Sequence, residues 1–303
     1  MMIKRKISDK FYGGGIEINP TSEKNIEDLD YNTIVNLFET NGFILFRNFD
    51  INKNKLVELT DLYTSRYAND ALRRENRLGQ KEVHNVDYGN DEMALHSEAS
   101  FSPNWPEIVW FFCNEFPDNA KGTTTFCDGL QLWENLSFEV KNFFLQNPIK
   151  YNLKIPVTSK KIGNKKKNWF LNYQGAGNGI LDQSEGCLHL TQIRFAAETS
   201  RILGKMCFSN HTLYKNTDPT IIEWGTIDGK KIPNKFLDEA NQKSEKITYD
   251  LRWKKNDLLM LDNKRFMHGR RKFDKGEKRD LVVIQSSLAN FGYGSTTRKL
   301  KIS

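Results

Sequence analysis

The chain has only five histidines, so few of its positions combine metal binding with proton transfer near neutral pH. The sequence His96-Ser97-Glu98 is the one place where a carboxylate follows a histidine by two residues. Because residues i and i+2 of a strand point to the same face, we expect a strand here to direct both groups to one point. Such a pair supplies two neighbouring ligands of a 2-His-1-carboxylate Fe(II) site, and an exposed ion pair is the alternative.

The second histidine of such a site has to come from a distant strand, and His268 is the candidate. It follows a predicted strand at 257–262, and Arg279 comes eleven residues later, at the start of an apolar strand. A guanidinium there can bind a carboxylate through two parallel hydrogen bonds, whereas a solvated charge in the basic segment 275–279 is the alternative. His189 and His211 have no partner at a ligand spacing, and we predict structural or surface roles for both.

The elements that must position these residues are predicted to be short strands, with helices at the N-terminal side. Helical spacing, aromatic and β-branched runs and turn residues divide the chain as follows: helix 30–40 ending at Asn41-Gly42, strand 43–49, helix 54–71, irregular 72–93, strands 108–113 and 123–126, helix 130–145, and strands 258–261 and 281–286. Short strands separated by turn signals predict an antiparallel barrel or jelly roll.

The middle of the chain, 158–246, is the least regular part. It contains the lysine-rich segment 159–168, predicted to be an exposed loop, and the glycine-rich segment 175–179. That glycine segment lacks the spacing and the βαβ context of a dinucleotide-binding loop, so we expect a turn. No boundary divides the sequence, and we predict a single domain over 1–303.

Net charge, apolar runs and cysteine spacing argue for or against several classes of protein. Lys and Arg number 45 against 38 Asp and Glu, a net charge of +7, which invites a nucleic-acid or anion-binding interpretation. No apolar run is long enough to span a bilayer, and no apolar segment follows the basic start, so we expect a cytoplasmic protein. The four cysteines are scattered and predict reduced, buried thiols.

Several segments together resemble the TauD/TfdA (taurine-catabolism dioxygenase) family of Fe(II)- and 2-oxoglutarate-dependent oxygenases. The segment 42–49 (GFILFRNF) is similar to the early strand of that family, and 95–106 (LHSEASFSPNWP) with 108–113 is similar to its metal-binding strand and the next one. The segment 121–129 (KGTTTFCDG) resembles the family's G-G-x-T-x-x-x-D sequence, and 268–273 with Arg279 resembles the distal end.

The resemblance implies a fold that is mainly β with flanking helices, namely a double-stranded β-helix (jelly roll). A large insert before the distal metal histidine, at about 158–246, would cover the active site. His96, Glu98 and His268 would ligate Fe(II), Arg279 would bind the distal carboxylate of 2-oxoglutarate, and Thr124 would hydrogen-bond the same cosubstrate, with Thr123 and Thr125 as alternatives. The reaction implied uses O2, releases succinate and CO2, and hydroxylates an unactivated C–H bond, with desaturation or cyclisation as alternatives.

Two departures from the family pattern bear on the reaction. The carboxylate is Glu98 where most members have aspartate, and its presence argues against a halogenase. Sulfonate-specific members carry an arginine four residues past the cosubstrate arginine, but Val283 stands there, so we do not expect taurine as a substrate.

The substrate class rests on the resemblance alone. The segments 207–214 and 224–233 resemble members that act on amino acids, free or tethered to a carrier protein, and an acidic carrier would be attracted by a basic face. The candidate substrate contacts are His84, Asn85, Ser100, Phe101, Asn172 and Arg270. A nucleic-acid demethylase, a non-catalytic binding module and a zinc hydrolase are weaker interpretations, and we expect neither a nucleic-acid nor a membrane partner.

Overall fold

The computed structural model describes residues 2–22, 25–68, 74–86, 89–102, 104–117, 121–156, 179–182, 187–200, 203–214 and 222–292. The strands are β1 (Met2–Lys6), β2 (Ile16–Pro20), β3 (Phe43–Phe46), β4 (Thr64–Tyr67), β5 (Asn76–Arg77), β6 (Gln80–Asn85), β7 (Met93–His96), β8 (Ile108–Glu115), β9 (Thr124–Asp128), β10 (Ile149–Pro156), β11 (Gly179–Asp182), β12 (Cys187–Arg194), β13 (Ala197–Thr199), β14 (Met206–Phe208), β15 (Ile222–Thr226), β16 (Tyr249–Leu251), β17 (Leu258–Asp262), β18 (Phe266–Arg270) and β19 (Asp280–Ala289). The α-helices are α1 (Tyr31–Asn41), α2 (Leu56–Asp61), α3 (Gly129–Asn135), α4 (Phe138–Gln146) and α5 (Asn234–Ile247), with short 3-10 turns at Ile26–Asp28 and Lys53–Lys55.

Two sheets face each other across a core of aromatic side chains. The larger has the order β1-β2-β3-β17-β8-β19-β6-β5, with β4 paired to β19, and the smaller has the order β16-β9-β18-β7. Phe43 and Phe111 of the larger sheet meet Phe126 of the smaller one, at ring-centroid distances of 5.0 and 6.4 Å. This is the expected double-stranded β-helix, which is confirmed.

Strand β8 explains why the segment 108–113 is apolar at every position. Trp110 and Phe112 pack with Phe38 of α1 on the outer face of the larger sheet. Phe111 and Cys113, one residue out of phase, belong to the core between the sheets. Because neighbouring side chains of a strand point to opposite faces, a strand that is buried on both sides carries no polar alternation.

A third layer follows β9. Strands β11, β12, β10 and β15 form a four-stranded sheet, and β13 pairs with β14. Helices α3, α4 and α5 share a core with this sheet, which includes Phe144, Tyr151, Phe208 and Phe236. The described part of the segment 158–246 therefore has strands and a 14-residue helix where we expected the least regular structure.

Three further expectations about elements are wrong. The helix predicted at 54–71 ends with α2 at Asp61, because Thr64–Tyr67 instead pairs as β4 with the edge of β19. The stretch 72–93 contains β5 and β6 and is not irregular. The helix predicted at 130–145 is two helices, since α3 ends at Asn135 and Ser137 caps α4 by accepting a hydrogen bond from the Val140 amide.

Some sequence features behave as expected and some lie outside the described residues. Cys113, Cys127 and Cys207 are buried free thiols whose pKa values are raised by burial. No helix in the described ranges is long and apolar enough to cross a membrane. The lysine-rich and glycine-rich segments, 159–168 and 175–179, and Asn172 fall mostly or wholly in the gap between 156 and 179.

Candidate active site

The two histidines of the predicted site are brought together by strand pairing. Strand β18 lies between β9 and β7, and His268 stands directly opposite His96 in the antiparallel register. Their ring centroids are 4.6 Å apart, and both side chains are buried. The 171 residues between them in the chain therefore do not set their spacing, which the register of two strands decides.

Glu98 reaches the same point by a different route from the one we expected. Strand β7 ends at His96, so Glu98 is not on the same strand face but in the following turn, where Ala99 has a φ of +50°. The Asn263 side chain brackets this turn, since its Oδ1 accepts from the Glu98 amide at 2.8 Å and its Nδ2 donates to the Glu98 carbonyl at 2.9 Å. Asn263 is completely buried, and no pattern in the sequence marks it as part of the site.

His96, Glu98 and His268 form a compact donor set. One ligand atom from each lies within 4.8 Å of the other two, and Nε2 of His268 is 3.7 Å from Oε2 of Glu98. Nδ1 of His96 is 2.9 Å from the Ala94 carbonyl oxygen, which can only accept, so Nδ1 carries the proton and Nε2 keeps its lone pair. Two imidazoles and a carboxylate at this spacing are the donor chemistry of a facial Fe(II) site.

Electrostatics keep the carboxylate of this set ionised. Burial by itself would raise the pKa of Glu98, but the charge of Arg74 and the imidazoles of His268 and His96 hold that pKa well below its usual range. Nη2 of Arg74 lies 3.0 Å from Oε2 and 3.2 Å from Oε1 of Glu98. A metal ion entering here would thus meet a carboxylate that is already deprotonated.

Arg279 and Thr124 meet at the other end of the same pocket. Arg279 donates from Nη2 to the Thr124 hydroxyl at 3.1 Å and from Nε to the Gly122 carbonyl at 3.0 Å. The Thr124 oxygen also accepts from Nε1 of Trp253 at 2.7 Å, so its own hydrogen remains available to an acceptor in the pocket. Burial and then the nearby charge of Arg270 lower the pKa of Arg279 to about 10.

The neighbouring threonines point elsewhere. The Thr123 hydroxyl donates to Asp250 at 2.9 Å. Thr125 lines a different pocket, on the opposite face of β9, together with Glu245 of α5. Alternation along β9 therefore gives Thr124 alone of the three a side chain in the pocket that Arg279 lines.

The pocket has a charged floor and apolar walls. It encloses about 370 Å³, its open mouth included. Its lining residues are Arg74, Glu98, Thr124, His268, Gly269, Arg270 and Arg279, with Val86, Met93, Phe111 and Val283 as the apolar part. Phe111 packs against His268 with ring centroids 5.1 Å apart. An anion held by Arg279 would therefore lie in the same pocket as Glu98 and His268.

The candidate substrate contacts are dispersed. Arg270 lines the pocket and donates to the Asp91 carbonyl. Ser100 is buried in the turn after Glu98, and Phe101 packs against His211 at 4.9 Å. His84 and Asn85 lie on β6 opposite Val283 and Val282 of β19. Asn172 lies outside the described residues.

His211 and Tyr214 are neighbours of the donor set. We predicted a structural or surface role for His211 and no role for Tyr214. The ring of His96 is 5.4 Å from His211 and 4.9 Å from Tyr214, centroid to centroid. Their segment is fixed to the H-x-E turn, because the Ser97 amide donates to the Asn210 carbonyl at 2.8 Å. The only sequence signal for them was the resemblance of 207–214 to amino-acid-directed members.

A family model spans nearly the whole chain. The model described as "Taurine catabolism dioxygenase TauD, TfdA family" matches residues 5–285, which include every residue of the donor set and of the Arg279 end of the pocket. The chain belongs to the TauD/TfdA family. It is a 2-oxoglutarate-dependent dioxygenase, and Fe(II), 2-oxoglutarate and O2 are its cofactor and cosubstrates.

Solved structures share the fold along the full length. A structure of AAD-2 in complex with Mn(II) and N-oxalylglycine is 14% identical, with a TM-score of 0.63 over 96% of this chain and 98% of that one. PvcB from Pseudomonas aeruginosa is 14% identical, with a TM-score of 0.62 over 94% of this chain and 91% of that one. Another PvcB structure, at 15% identity and a TM-score of 0.59, is described as an Fe, alpha-ketoglutarate dependent oxygenase from an isonitrile synthetic pathway. No curated protein matches the chain.

Proposed function

We propose that this dioxygenase hydroxylates an unactivated C–H bond of a small molecule in specialised metabolism, and that the substrate is an amino acid, free or bound to a carrier protein. The observation that carries the proposal is the convergence of His96, Glu98 and His268 beside a pocket that Glu98 and His268 line together with Arg279. The resemblance of 207–214 to amino-acid-directed members supports the substrate class. The same iron and 2-oxoglutarate chemistry could also desaturate or cyclise the substrate. We further propose that the enzyme lies in the cytoplasm.

In this proposal the iron is held by His96, Glu98 and His268. Nδ1 of His268 is buried with no hydrogen-bond partner among the described residues, and the ligand atoms of the donor set lie within 4.8 Å of one another, close enough to hold one cation. Bound iron and 2-oxoglutarate supply the oxidising chemistry, in which 2-oxoglutarate and O2 become succinate, CO2 and the oxygen atom inserted into the substrate. The Ala94 carbonyl keeps the His96 tautomer that presents Nε2.

Arg279 and Thr124 bind and orient the cosubstrate. The hydrogen bonds of Arg279 go to uncharged groups, so its charge has no carboxylate partner among the described residues. A carboxylate of 2-oxoglutarate supplies that partner and accepts the free hydroxyl hydrogen of Thr124. The apolar side chains of Phe111 and Val283 exclude water from the space between the two ends.

One experiment tests the metal and cosubstrate assignment. Metal-free protein is given Fe(II) and 2-oxoglutarate without oxygen, and the weak visible charge-transfer band is recorded. We expect the band in the wild type, its loss in His268→Ala and its retention in His189→Ala, a histidine on β12. A wild-type protein without the band would contradict the assignment.

A second experiment addresses the substrate. Succinate release is measured with free amino acids, with carrier-bound amino acids and with taurine. We expect turnover with one of the first two groups and none with taurine, because Val283 stands where sulfonate-specific members have arginine. Turnover of taurine alone would contradict the proposed substrate class.

A further inference from the structure

We propose that Arg74 is a positioning residue that fixes the orientation of the Glu98 carboxylate, so that Oε2 faces His268 in the donor set. This inference rests on the proposed function, in which Glu98 is a metal ligand. Its basis is a buried ion pair that the sequence did not reveal, in which one guanidinium nitrogen contacts both carboxylate oxygens.

The need for such a residue comes from the length of the glutamate side chain. Asn263 fixes the backbone of Glu98 on both sides of its peptide unit. Beyond the Cα atom, however, glutamate has one more rotatable bond than aspartate, so the carboxylate is not fixed by the turn that carries it. A second contact at the end of the side chain is required to hold one orientation, and the Arg74 guanidinium makes it.

The contacts of the two oxygens define one orientation of the carboxylate. Nη2 of Arg74 lies 3.0 Å from Oε2 and 3.2 Å from Oε1, so one nitrogen holds both oxygens. Oε2 is also the oxygen that approaches Nε2 of His268, at 3.7 Å, and is the one placed to ligate a shared metal. Turning the carboxylate away from His268 would break its contact with Arg74.

Arg74 is anchored well enough to act in this way. It precedes β5, and the carbonyl of the next residue, Glu75, accepts from the Asn85 amide at 3.0 Å. Its side chain is 10% exposed and that of Glu98 is 13% exposed, so neither has much water to replace the other. Separating the two side chains would leave a buried charge without its partner, which is unfavourable, so the contact should persist.

The test uses metal affinity, not turnover. Mn(II) is titrated calorimetrically into metal-free wild type, Arg74→Met, Arg74→Lys, Glu98→Asp and the double variant Arg74→Met/Glu98→Asp, with 2-oxoglutarate present. We expect Arg74→Met to weaken Mn(II) binding about tenfold or more, as removal of a residue that orients a ligand does. Arg74→Lys should recover part of that loss, because one charged donor remains.

The double variant isolates the restraint on the longer side chain. We expect the Arg74→Met penalty to shrink severalfold in the Glu98→Asp background, since aspartate has less freedom to restrain. Arg77→Met is the matched control, because Arg77 pairs with Asp280 at 3.1 Å and lies three residues further along the chain. Thermal melting of every variant identifies those that fail to fold. If Arg74→Met is one of them, Arg74→Lys is compared with the wild type instead.

The outcomes separate this inference from the proposed function. Wild-type protein that binds no Mn(II) would overturn the proposed metal site. Wild-type binding with an Arg74→Met affinity that is equal or tighter would overturn the role of Arg74 alone, as would an equal penalty in both backgrounds. A shifted or weakened Fe(II)–2-oxoglutarate charge-transfer band in Arg74→Met, with the band intact in Arg77→Met, supports it.

Discussion

At the scale of single residues, Arg279 has a charge that no carboxylate of the described residues neutralises. Its guanidinium donates to Gly122 and Thr124, and Arg270 adds a second positive charge nearby. A partly buried cation in that setting would be stabilised by an incoming dicarboxylate. The planar guanidinium also offers a second parallel hydrogen bond that an ammonium cannot reproduce.

Replacing Arg279 by lysine should therefore weaken the binding of 2-oxoglutarate more than it slows the chemical step. We expect the KM for 2-oxoglutarate to rise about tenfold or more, the cost of losing a hydrogen bond to a charged group, with a smaller change in kcat. Succinate release measured against 2-oxoglutarate concentration checks this. Arg77→Lys is the control, and an unchanged KM in Arg279→Lys would count against the assignment.

The pKa of Arg279 also predicts a pH dependence. Because burial and the charge of Arg270 lower that pKa to about 10, the side chain is protonated at pH 7 and loses its proton in a reachable range. We expect 2-oxoglutarate affinity to be flat from neutral pH upward and to fall as the pH passes the value of about 10. Calorimetric titration across this range measures it, and a decline that begins below pH 8 would point to another group.

Thr124 tests the register of β9. Valine at this position leaves Nε1 of Trp253 and one donor of Arg279 without their acceptor. We expect a stability loss of about 1–3 kcal/mol and a raised KM for 2-oxoglutarate. Thr123→Val, which removes only a hydrogen bond to Asp250, should leave that KM unchanged. The reverse pattern would mean that the cosubstrate lies one residue away.

At the scale of elements, a buried ion pair fixes the helix α3 to the turn that leads into β18. Asp128 caps α3 by accepting from the Leu130 amide at 3.0 Å. Its carboxylate also accepts from the Tyr12 amide at 2.8 Å and pairs with the Arg265 guanidinium, whose Nη2 is 2.6 Å from Oδ2. The side chains of Asp128 and Arg265 are 0% and 2% exposed. The backbone at Asn263, which brackets Glu98, lies two residues before Arg265, so this pair supports the H-x-E turn indirectly.

Asp128→Ala should therefore be severely destabilising. It leaves the Arg265 charge buried and unpaired, which costs about 3–5 kcal/mol. Urea denaturation measures the loss. Asp274→Ala, which breaks an exposed pair with Lys121, is the control and should leave the denaturation midpoint in place. Equal effects of the two changes would mean that burial of the Asp128 pair contributes nothing.

At the scale of the whole molecule, net charge bears on the partner. The chain carries +7, and part of that excess lies on the edge strand β1, where Lys4, Arg5 and Lys6 are exposed. Lysines on an edge strand also discourage pairing with other chains, so the charge has a structural role there as well. Neither the attraction of an acidic partner nor this protection of the edge strand requires nucleic acid.

If an acidic carrier presents the substrate, its attraction should depend on salt. We expect kcat/KM for a carrier-bound amino acid to fall as salt approaches about 1 M, where the screening length is about 3 Å, while that for the free amino acid stays constant. Assays of both forms over a salt series check this. Equal turnover of the two forms with no salt dependence would contradict carrier presentation.

Local chemistry in the sequence indicated His96, Glu98, His268 and Arg279 as site residues, and those roles stay predictions. It also predicted the apolar strands 108–113, 258–261 and 281–286, which the structure contains as β8, β17 and β19. These signals survive because residue type and short-range periodicity are properties of the chain itself. The same reasoning extended a helix through Thr64–Tyr67, since helical spacing there does not reveal that the edge of β19 is available for pairing.

Only the tertiary structure decided how the site is assembled. The register of β18 against β7 sets the distance between His96 and His268, and a turn bracketed by Asn263 directs Glu98 toward them. Arg74 and His211 acquire their positions from contacts across the chain. Sequence determines which groups are available, but distances between them depend on long-range pairing and burial, which no local pattern encodes.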